Sequence, residues 1–345
     1  MPDSANLPPQ RVVVLGANGF IGQRVVRRLL DEPGMEPVAL TRKPRRDTEA
    51  EVVACDATNA EGMQRALTGA SHVVNCIAGS EATMVAATRV LCDTARRSGL
   101  KHLVHLSSMA VYGAATGRVD ETTGATSPVS AYGGAKQACE QLVRAFITDG
   151  GGAVILRPGC VYGPGSEQWT GRIGRLLQAG RLGDLGADGD GVCNLTFVDD
   201  LVTAVVSSLR RPEAVGHTFN VAMADPPDWN GYLVRFARAL GATPVKRISG
   251  RQLKLETKLL APLLRIGAIG ARASRISVRV PDAIPPSLAS LFRQNIRLEA
   301  YKSVEVLNVR GTGLEWGLAA SARWMAGHQR GKSAPPHDKL VEAHQ

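Results

Sequence analysis

The sequence lacks the features that identify membrane-spanning, metal-binding and nucleic-acid-binding proteins. No apolar run approaches the roughly 18 uninterrupted residues that a membrane-spanning helix requires. The six cysteines form no CxxC pair and the seven histidines are dispersed, so we expect free buried thiols and no metal site. Aromatic residues make up only 4% of the chain, and no RNA- or DNA-binding motif accompanies the net charge of +10. We therefore expect no nucleic acid among the partners.

Both ends of the chain are polar. The first ten residues, MPDSANLPPQ, lack the apolar segment of a secretory signal, so we expect a flexible N-terminus at 1–10 and a cytoplasmic protein. The final stretch is rich in charged and other polar residues, which predicts a disordered tail at 328–345.

Between these ends, short β-branched runs alternate with helix-like stretches. Strands are predicted at 12–15, 37–41, 52–55, 72–77, 102–107 and 153–156, and helices at 20–30, 60–68, 82–98 and 129–148. This alternation predicts a doubly wound parallel sheet in a cofactor-binding domain at 11–160. The alternation then loosens, with helices predicted at 171–179, 198–209, 228–240, 253–269 and 314–326. We expect 161–327 to form a smaller α/β region that mainly binds substrate.

A glycine-rich segment, GANGFIG, follows the first predicted strand and opens the first helix. In this position Gly16 permits a tight turn, Gly19 lets the backbone approach a pyrophosphate, and Gly22 lets the helix pack close to the sheet. The free N–H groups at the helix start add a partial positive charge. The segment predicts dinucleotide binding, although a glycine-rich loop without a ligand is an alternative.

The end of the second strand bears on the choice of dinucleotide. NAD sites usually carry an acid there, whereas this chain has Thr41, Arg42 and Lys43. A guanidinium suits a 2′-phosphate, so NADP is favoured over NAD, unless Arg42 is merely a solvated loop charge. Asp56, after the third strand, could accept from the adenine amino group or could form an Asx turn.

Polar groups downstream suggest acid–base chemistry. Ser107 and Ser108 end the fifth strand, at the edge where ligands bind in open α/β sheets. Tyr132 and Lys136 are four residues apart, which places both on one face of a helix. A neighbouring lysine cation would favour the phenolate of a tyrosine that exchanges protons with substrate. An ordinary amphipathic helix with a buried tyrosine is the alternative.

Together these motifs resemble the extended short-chain dehydrogenase/reductase superfamily, and within it the NAD-dependent epimerase/dehydratase family. The matching segments are GANGFIG at 16–22, SSMAVYG at 107–113, YGGAK at 132–136, RPGCVYGPG at 157–165 and LTFVDDLVTAV at 195–205. LEWGLAASARWM at 314–325 is similar to the closing Leu-Gly-Trp segment of the family, with Glu315 where glycine is usual. The resemblance covers about residues 10–327.

The resemblance implies a Rossmann-like fold, often a homodimer through two helices per subunit, and hydride transfer between a nicotinamide and a secondary alcohol or ketone. The implied catalytic residues are Ser108, Tyr132 and Lys136, with Tyr132 as the acid/base. The implied NAD(P)-binding residues are Gly16, Asn18, Gly19, Phe20, Ile21, Gly22, Arg42, Asp56, Ala78, Tyr132, Lys136 and Pro158.

Departures from the family pattern bear on the substrate. Sugar-nucleotide members usually carry Asn at Cys160 and an Arg near Cys193 that contacts phosphates, and dehydratases carry an Asp-Glu pair where this chain has Met109 and Ala110. The pattern resembles instead the dihydroflavonol reductase and 3β-hydroxysteroid dehydrogenase-like branch, which acts on apolar alcohols or ketones. The leading hypothesis is thus an oxidoreductase. A sugar or nucleotide-sugar epimerase and a non-catalytic NAD(P)-binding regulatory protein are the alternatives.

The excess positive charge is concentrated in one segment. Residues 235–279 contain 11 basic residues and one acid, Glu256. The segment could be a lid that attracts an anionic substrate, or a helix that contacts an anionic membrane surface through 251–275. It could also be a core helix of the smaller region with solvated charges outside.

Overall fold

The computed structural model describes residues 9–44, 48–100, 102–264, 266 and 281–333, with side chains to residue 328. Its strands are β1 (Gln10–Leu15), β2 (Met35–Thr41), β3 (Glu51–Ala54), β4 (His72–Asn75), β5 (His102–Leu106), β6 (Gly117–Val119), β7 (Ala153–Pro158), β8 (Cys160–Tyr162), β9 (Leu195–Phe197), β10 (Thr218–Val221) and β11 (Ile296–Leu298). Its α-helices are α1 (Phe20–Leu30), α2 (Ala60–Ala66), α3 (Glu81–Ser98), α4 (Ala131–Thr148), α5 (Arg172–Gln178), α6 (Val198–Arg210), α7 (Trp229–Ala239), α8 (Gly250–Leu255), α9 (Pro286–Leu291), α10 (Tyr301–Leu307) and α11 (Leu314–Ser333). A π-helical stretch, Glu256–Leu260, continues α8.

Among the described residues, seven parallel strands form the central sheet, in the order β3-β2-β1-β4-β5-β7-β10. The order runs in opposite directions on the two sides of β1. Val14, for example, is paired with Ala39 of β2 on one side and with Val74 of β4 on the other. A doubly wound sheet binds its ligand at such a reversal, beyond the carboxyl ends of the strands. The predicted α/β, Rossmann-like doubly wound fold is therefore confirmed.

Alternate residues of β1 supply the two apolar layers on either face of this sheet. Val12 and Val14 belong to the cluster that includes α1 and α6. Val13 and Leu15 belong to the opposite cluster, with residues of α2, α3 and α4. All four side chains are fully buried. Burial on both faces explains why the central strands are continuous apolar runs rather than alternating ones.

The two compact units of the chain are not consecutive in sequence. The first contains the described residues of Met1–Val161, Ala187–Trp229 and Ser287–Thr312, and the second those of Tyr162–Gly186, Asn230–Pro286 and Gly313–Gln345. The predicted division at residues 160 and 161 differs from this arrangement. One reason is that β10 returns to the central sheet beside β7, although no strand was predicted there. In addition, β11 pairs with β6 and β9 pairs with β8.

Three predicted segments differ from the structure or lie partly outside the described residues. The N-terminal range 1–10 includes Gln10, which belongs to β1 and donates its N–H to the Gly34 carbonyl at 2.8 Å, while 1–8 are not described. The last helix extends to Ser333, past the predicted start of the disordered tail at 328, and 334–345 are not described. Helical backbone occupies 250–264 of the predicted helix 253–269, and residues 265 and 267–280 are not described.

Candidate active site

The glycine loop joins β1 to α1 at the sheet reversal, and its geometry depends on two close approaches. Gly16 has a φ of +73°, and a Cβ there would lie 2.8 Å from the carbonyl oxygen of Cys76. A Cβ on Gly22 would lie 2.3 Å from the carbonyl oxygen of Gly16. Larger residues would therefore displace either the turn or α1. The loop, α1 and the segment that follows β4 therefore lie close together.

The start of α1 offers backbone donors. Its N-cap residue, Gly19, is exposed and provides no side-chain cap for the helix. The described atoms near a Cβ on Gly19 are limited to the Gly16 carbonyl oxygen, at 3.1 Å. Phe20 and Ile21 open the helix next to this space and are half-buried. An uncapped helix start beside open space suits a diphosphate, so the residues present fit a bound dinucleotide.

Asn18 connects the glycine loop to the end of β2. Its amide nitrogen donates to the Thr41 hydroxyl at 2.8 Å and to the Lys43 carbonyl at 2.7 Å. These bonds hold the exposed residues Arg42 and Lys43 beside the loop. In this structure Asn18 therefore holds the glycine loop against the end of β2.

Asp56 lies close to Arg42 and forms the Asx turn that the sequence allowed. Its Oδ1 accepts from the Thr58 backbone N–H at 3.0 Å and from the Thr58 hydroxyl at 2.8 Å. These bonds lower the pKa of Asp56, and the charge of Arg42 lowers it further. Arg42 and Asp56 therefore share one neighbourhood at the carboxyl edge of the sheet.

The ends of β4 and β7 supply two more of the predicted cofactor residues. Asn75, at the end of β4, accepts the Ile77 backbone N–H at 3.1 Å and so shapes the turn that leads to exposed Ala78. Pro158 is the last residue of β7 and is buried. Both strand ends lie on the same edge of the parallel sheet as the glycine loop.

Ser108 and Tyr132 lie together because α4 packs tightly against the turn that follows β5. Ser108 caps the 3₁₀ turn Met109–Tyr112, and its hydroxyl accepts from the Ala110 N–H at 3.2 Å. The second residue of α4 is Tyr132, whose phenol lies near enough to the Ser108 side chain for that side chain to lower its pKa. A Cβ on Gly133 would lie 2.8 Å from the Ala110 carbonyl oxygen. Glycine at 133 thus allows this close packing.

Lys136 lies one turn further along α4 and is 5% exposed. Its amino group donates to the Leu106 carbonyl at 2.7 Å and lies 5.9 Å from the centre of the Tyr132 ring. Burial lowers the pKa of Lys136. The structure therefore places Ser108, Tyr132 and Lys136 together at the carboxyl end of β5.

The sequence led us to expect that the Lys136 cation lowers the pKa of Tyr132, but burial, which raises that pKa, is the largest effect in this structure. Although Tyr132 is 41% exposed, burial of its surroundings raises the pKa of the phenol above its usual value of about 10. The neighbouring Ser108 side chain acts in the opposite direction and lowers the pKa. Desolvation thus outweighs the groups that favour the phenolate.

A buried ion pair behind the site was missed by the sequence analysis. Glu140 accepts from Arg157 Nε at 2.8 Å and from Arg157 Nη2 at 2.7 Å, and both side chains are 5% exposed. Glu140 also accepts from the Ser107 hydroxyl at 2.6 Å, while Arg157 donates to the Tyr112 hydroxyl at 3.0 Å. The signal was available, because Glu140 follows Lys136 by four residues and Arg157 opens the motif RPGCVYGPG. This network fixes the backbone next to Ser108.

The two cysteines that depart from the sugar-nucleotide pattern are buried. Cys160 and Cys193 are 5% and 0% exposed, and burial raises the pKa of the Cys160 thiol to about 12 and that of Cys193 well above its usual value. Both thiols are therefore neutral and supply no charged donor to a phosphate. Within the described parts of the chain, no helix is long and apolar enough to span a membrane, and no cluster of three metal-ligating side chains is found.

Comparisons with known proteins identify the family of the chain. The family model of the NAD dependent epimerase/dehydratase family matches residues 12–222. A 3-diazoavenalumate denitrifying reductase of a Streptomyces species is 29% identical over 260 residues, covering 69% of this chain and 84% of the relative. The UDP-glucose 4-epimerase of Vibrio cholerae is 25% identical over 232 residues, covering 62% of this chain and 71% of the relative.

A solved structure shows the same fold. The UDP-glucose 4-epimerase of Thermotoga maritima superposes with a TM-score of 0.72, covering 93% of this chain and 100% of that one, at 19% identity. The chain therefore belongs to the NAD-dependent epimerase/dehydratase family, and it is an enzyme of the extended short-chain dehydrogenase/reductase type.

Proposed function

We propose that this enzyme catalyses reversible hydride transfer between a nicotinamide and a secondary alcohol or ketone, with Tyr132 as the acid/base. The observation that carries the proposal is the grouping of Ser108, Tyr132 and Lys136 at one strand end. The same sheet edge holds a glycine loop that fits a dinucleotide. A non-catalytic binding protein would have no need of this grouping.

In the oxidation direction, the alcohol proton moves to the Tyr132 oxygen as the carbonyl forms. The bound nicotinamide supplies the redox chemistry, by accepting the hydride from the same carbon. The Ser108 hydroxyl holds the substrate oxygen by a hydrogen bond, which keeps that oxygen within reach of the phenol. In reduction, Tyr132 returns the proton to the oxygen.

The proton exchange depends on how the phenolate is stabilised. Burial raises the pKa of Tyr132, so the free protein holds the neutral phenol at neutral pH. The ammonium group of Lys136 and the positive charge of an oxidised nicotinamide both favour the phenolate when the cofactor is in place. Lys136 also holds the nicotinamide ribose, as the family resemblance implies. Oxidation is therefore expected to follow cofactor binding in an ordered sequence.

We further propose a preference for NADP over NAD. The support is Arg42, an exposed guanidinium held beside the glycine loop by the bonds from Asn18 to Thr41 and Lys43. A guanidinium forms bidentate bonds with a phosphate, which NAD lacks at the 2′ position. We also propose that the Asp56 carboxylate, which the turn with Thr58 orients, accepts a hydrogen bond from the adenine amino group.

For the substrate, we propose an apolar alcohol or ketone, as in the dihydroflavonol reductase and 3β-hydroxysteroid dehydrogenase-like branch. The support is that buried, neutral thiols occupy the Cys160 and Cys193 positions. The alternative is epimerisation of a sugar or nucleotide sugar, which the similarity to the Vibrio cholerae enzyme favours. On the basis of the family resemblance, we also propose that the enzyme is a homodimer. Its cytoplasmic location stays a prediction from the sequence.

Two measurements on the purified protein test these proposals. The protein is denatured and the released nucleotide is identified by mass spectrometry, and free NAD and NADP are added with a panel of alcohols and ketones while reduced nicotinamide is followed by absorbance. An exchangeable cofactor with net absorbance change supports the oxidoreductase. A tightly retained cofactor with no net change assigns epimerisation, and binding of neither dinucleotide contradicts the whole proposal.

A further inference from the structure

One helical segment presents its large apolar residues to solvent. Helical backbone is continuous over 250–264, and Leu255, Leu259 and Leu263 are 57%, 60% and 65% exposed. Ile266 continues the row at 67%. Spacings of four, four and three residues keep these side chains on one face of the helix. We call this face the leucine stripe.

The opposite face of the segment is the one that packs against the protein. Leu253, Thr257 and Ala261 are 1%, 5% and 7% exposed. They also recur every four residues, offset from the leucine stripe by two residues, or about 200° around the helix. One face of the segment is therefore buried and its charges are outside, as in a core helix, but its larger apolar side chains are exposed as well.

Basic side chains run alongside the leucine stripe. Lys254 and Lys258 each precede a stripe leucine by one residue, Arg251 begins the row, and all three are exposed. Among the described residues, none of the three has an ion-pair partner within 4.0 Å. The single acid of the segment, Glu256, is already paired with Arg181. The surface is thus apolar at its centre and positively charged along one side.

We propose that this face of helix 250–264 docks on an anionic lipid bilayer. An apolar stripe with adjacent lysines and arginines lies in a bilayer interface with its leucines among the acyl chains and its cations near the headgroups. From Leu255 to Ile266 the stripe extends about 16 Å along the helix, which suits a plane rather than a pocket. The proposal does not depend on the proposed catalytic activity.

A second copy of the chain is a poorer occupant for the same surface. In a two-fold symmetric contact the same patch meets itself, so the three basic residues would face three more, with no free acid between them. Juxtaposed like charges disfavour such a contact. An anionic surface offers the opposite charge to all three.

Co-sedimentation with vesicles tests the proposal on the full-length protein. We expect the protein to partition at least about tenfold more strongly onto phosphatidylcholine vesicles containing about one third phosphatidylglycerol than onto phosphatidylcholine alone. Added salt should weaken this binding. Leu259→Glu with Leu263→Glu, and separately Lys254→Glu with Lys258→Glu, should each reduce binding about tenfold or more.

The matched control keeps the same change in net charge. Arg97→Glu with Arg323→Glu alters two exposed basic residues on other helices. This control should bind vesicles nearly as well as the wild type, whereas the lysine variant should not. Thermal melting and cofactor binding confirm that each variant is folded. Equal vesicle binding by all variants, or none by the wild type, overturns the proposal. If the leucine variant instead converts a larger oligomer to a smaller one in light scattering, without vesicle binding by the wild type, the stripe is a contact between copies.

Discussion

Gly133 of α4 packs against the Ala110 carbonyl so closely that a Cβ at 133 would lie 2.8 Å from the carbonyl oxygen. This contact sets the distance between α4 and the 3₁₀ turn that Ser108 caps. Because Tyr132 is the preceding residue of α4, the same contact positions its phenol beside the Ser108 hydroxyl. The proposed catalytic geometry thus depends on a residue that has no side chain.

Gly133→Ala should lower kcat/KM by about tenfold to a hundredfold, because a shift of even 1 Å misplaces a catalytic group. The affinity for the dinucleotide, measured by fluorescence titration, should change much less. Gly134→Ala is the control, since a Cβ there would lie 3.6 Å from Pro128 Cγ in ordinary contact. It should leave activity intact and stabilise α4 slightly. Equal activity of both variants would argue against this positioning role.

Glu140→Gln should reduce the free energy of unfolding by about 3–5 kcal/mol, because it leaves the buried Arg157 guanidinium without its charge partner. Urea denaturation measures the change. The comparison variant is Glu213→Gln, in which the exposed pair with Arg211 is broken and no measurable loss is expected. A small effect of Glu140→Gln would show that the network adds little to stability.

Arg42→Glu should lower the ratio of kcat/KM with NADP to kcat/KM with NAD by about tenfold to a hundredfold. This is the change expected when one or more charged hydrogen bonds are lost. Steady-state kinetics with each cofactor measure this ratio. Arg97→Glu, on α3, removes an exposed arginine elsewhere and should leave the ratio unchanged. If Arg42→Glu also leaves it unchanged, the proposed NADP preference loses its support.

Acid should destabilise the protein through its buried histidines. Burial lowers the pKa of His102 to about 4 and that of His105 to about 3, whereas both titrate near 6.5 when unfolded. The unfolded chain therefore binds more protons as the pH falls from about 6.5 to about 4. Stability is fully present above pH 6.5 and declines below it, by up to about 1.4 kcal/mol per pH unit for each histidine.

His102→Phe should make this decline shallower, because it removes one of the two groups. Denaturation at several pH values between 6.5 and 4 gives the slope. His328→Gln, at an exposed position on α11, should keep the wild-type slope. The account of acid sensitivity is wrong if the His102 variant also keeps it.

Much of the first unit was predictable because most of its strands are short apolar runs separated by helices. α1 was predicted at its observed bounds, and the glycine loop follows directly from the spacing of Gly16, Gly19 and Gly22. The proposed catalytic residues Ser108, Tyr132 and Lys136 were expected from the family motifs, and their role stays a proposal. β10 (Thr218–Val221) was not predictable, since its identity as a strand depends on pairing with distant β7.

Other features depend on three-dimensional surroundings that a sequence pattern does not contain. The spacing of Tyr132 and Lys136 places both on one helix face, but the lysine donates to the Leu106 carbonyl and burial dominates the tyrosine pKa. Likewise, Leu253 and Leu255 are equally apolar in sequence. Only the surroundings in the folded protein bury Leu253 and leave Leu255 exposed.

The most direct test of the central claim is hydride transfer by Tyr132→Phe in a single turnover with bound cofactor. The account predicts that transfer slows by about a hundredfold to ten-thousandfold while the dissociation constant of the dinucleotide stays within about twofold, because only the proton exchange is lost. Tyr301→Phe, at an exposed tyrosine outside the site, should behave as wild type. Undiminished hydride transfer by Tyr132→Phe would contradict the assignment of this phenol as the acid/base.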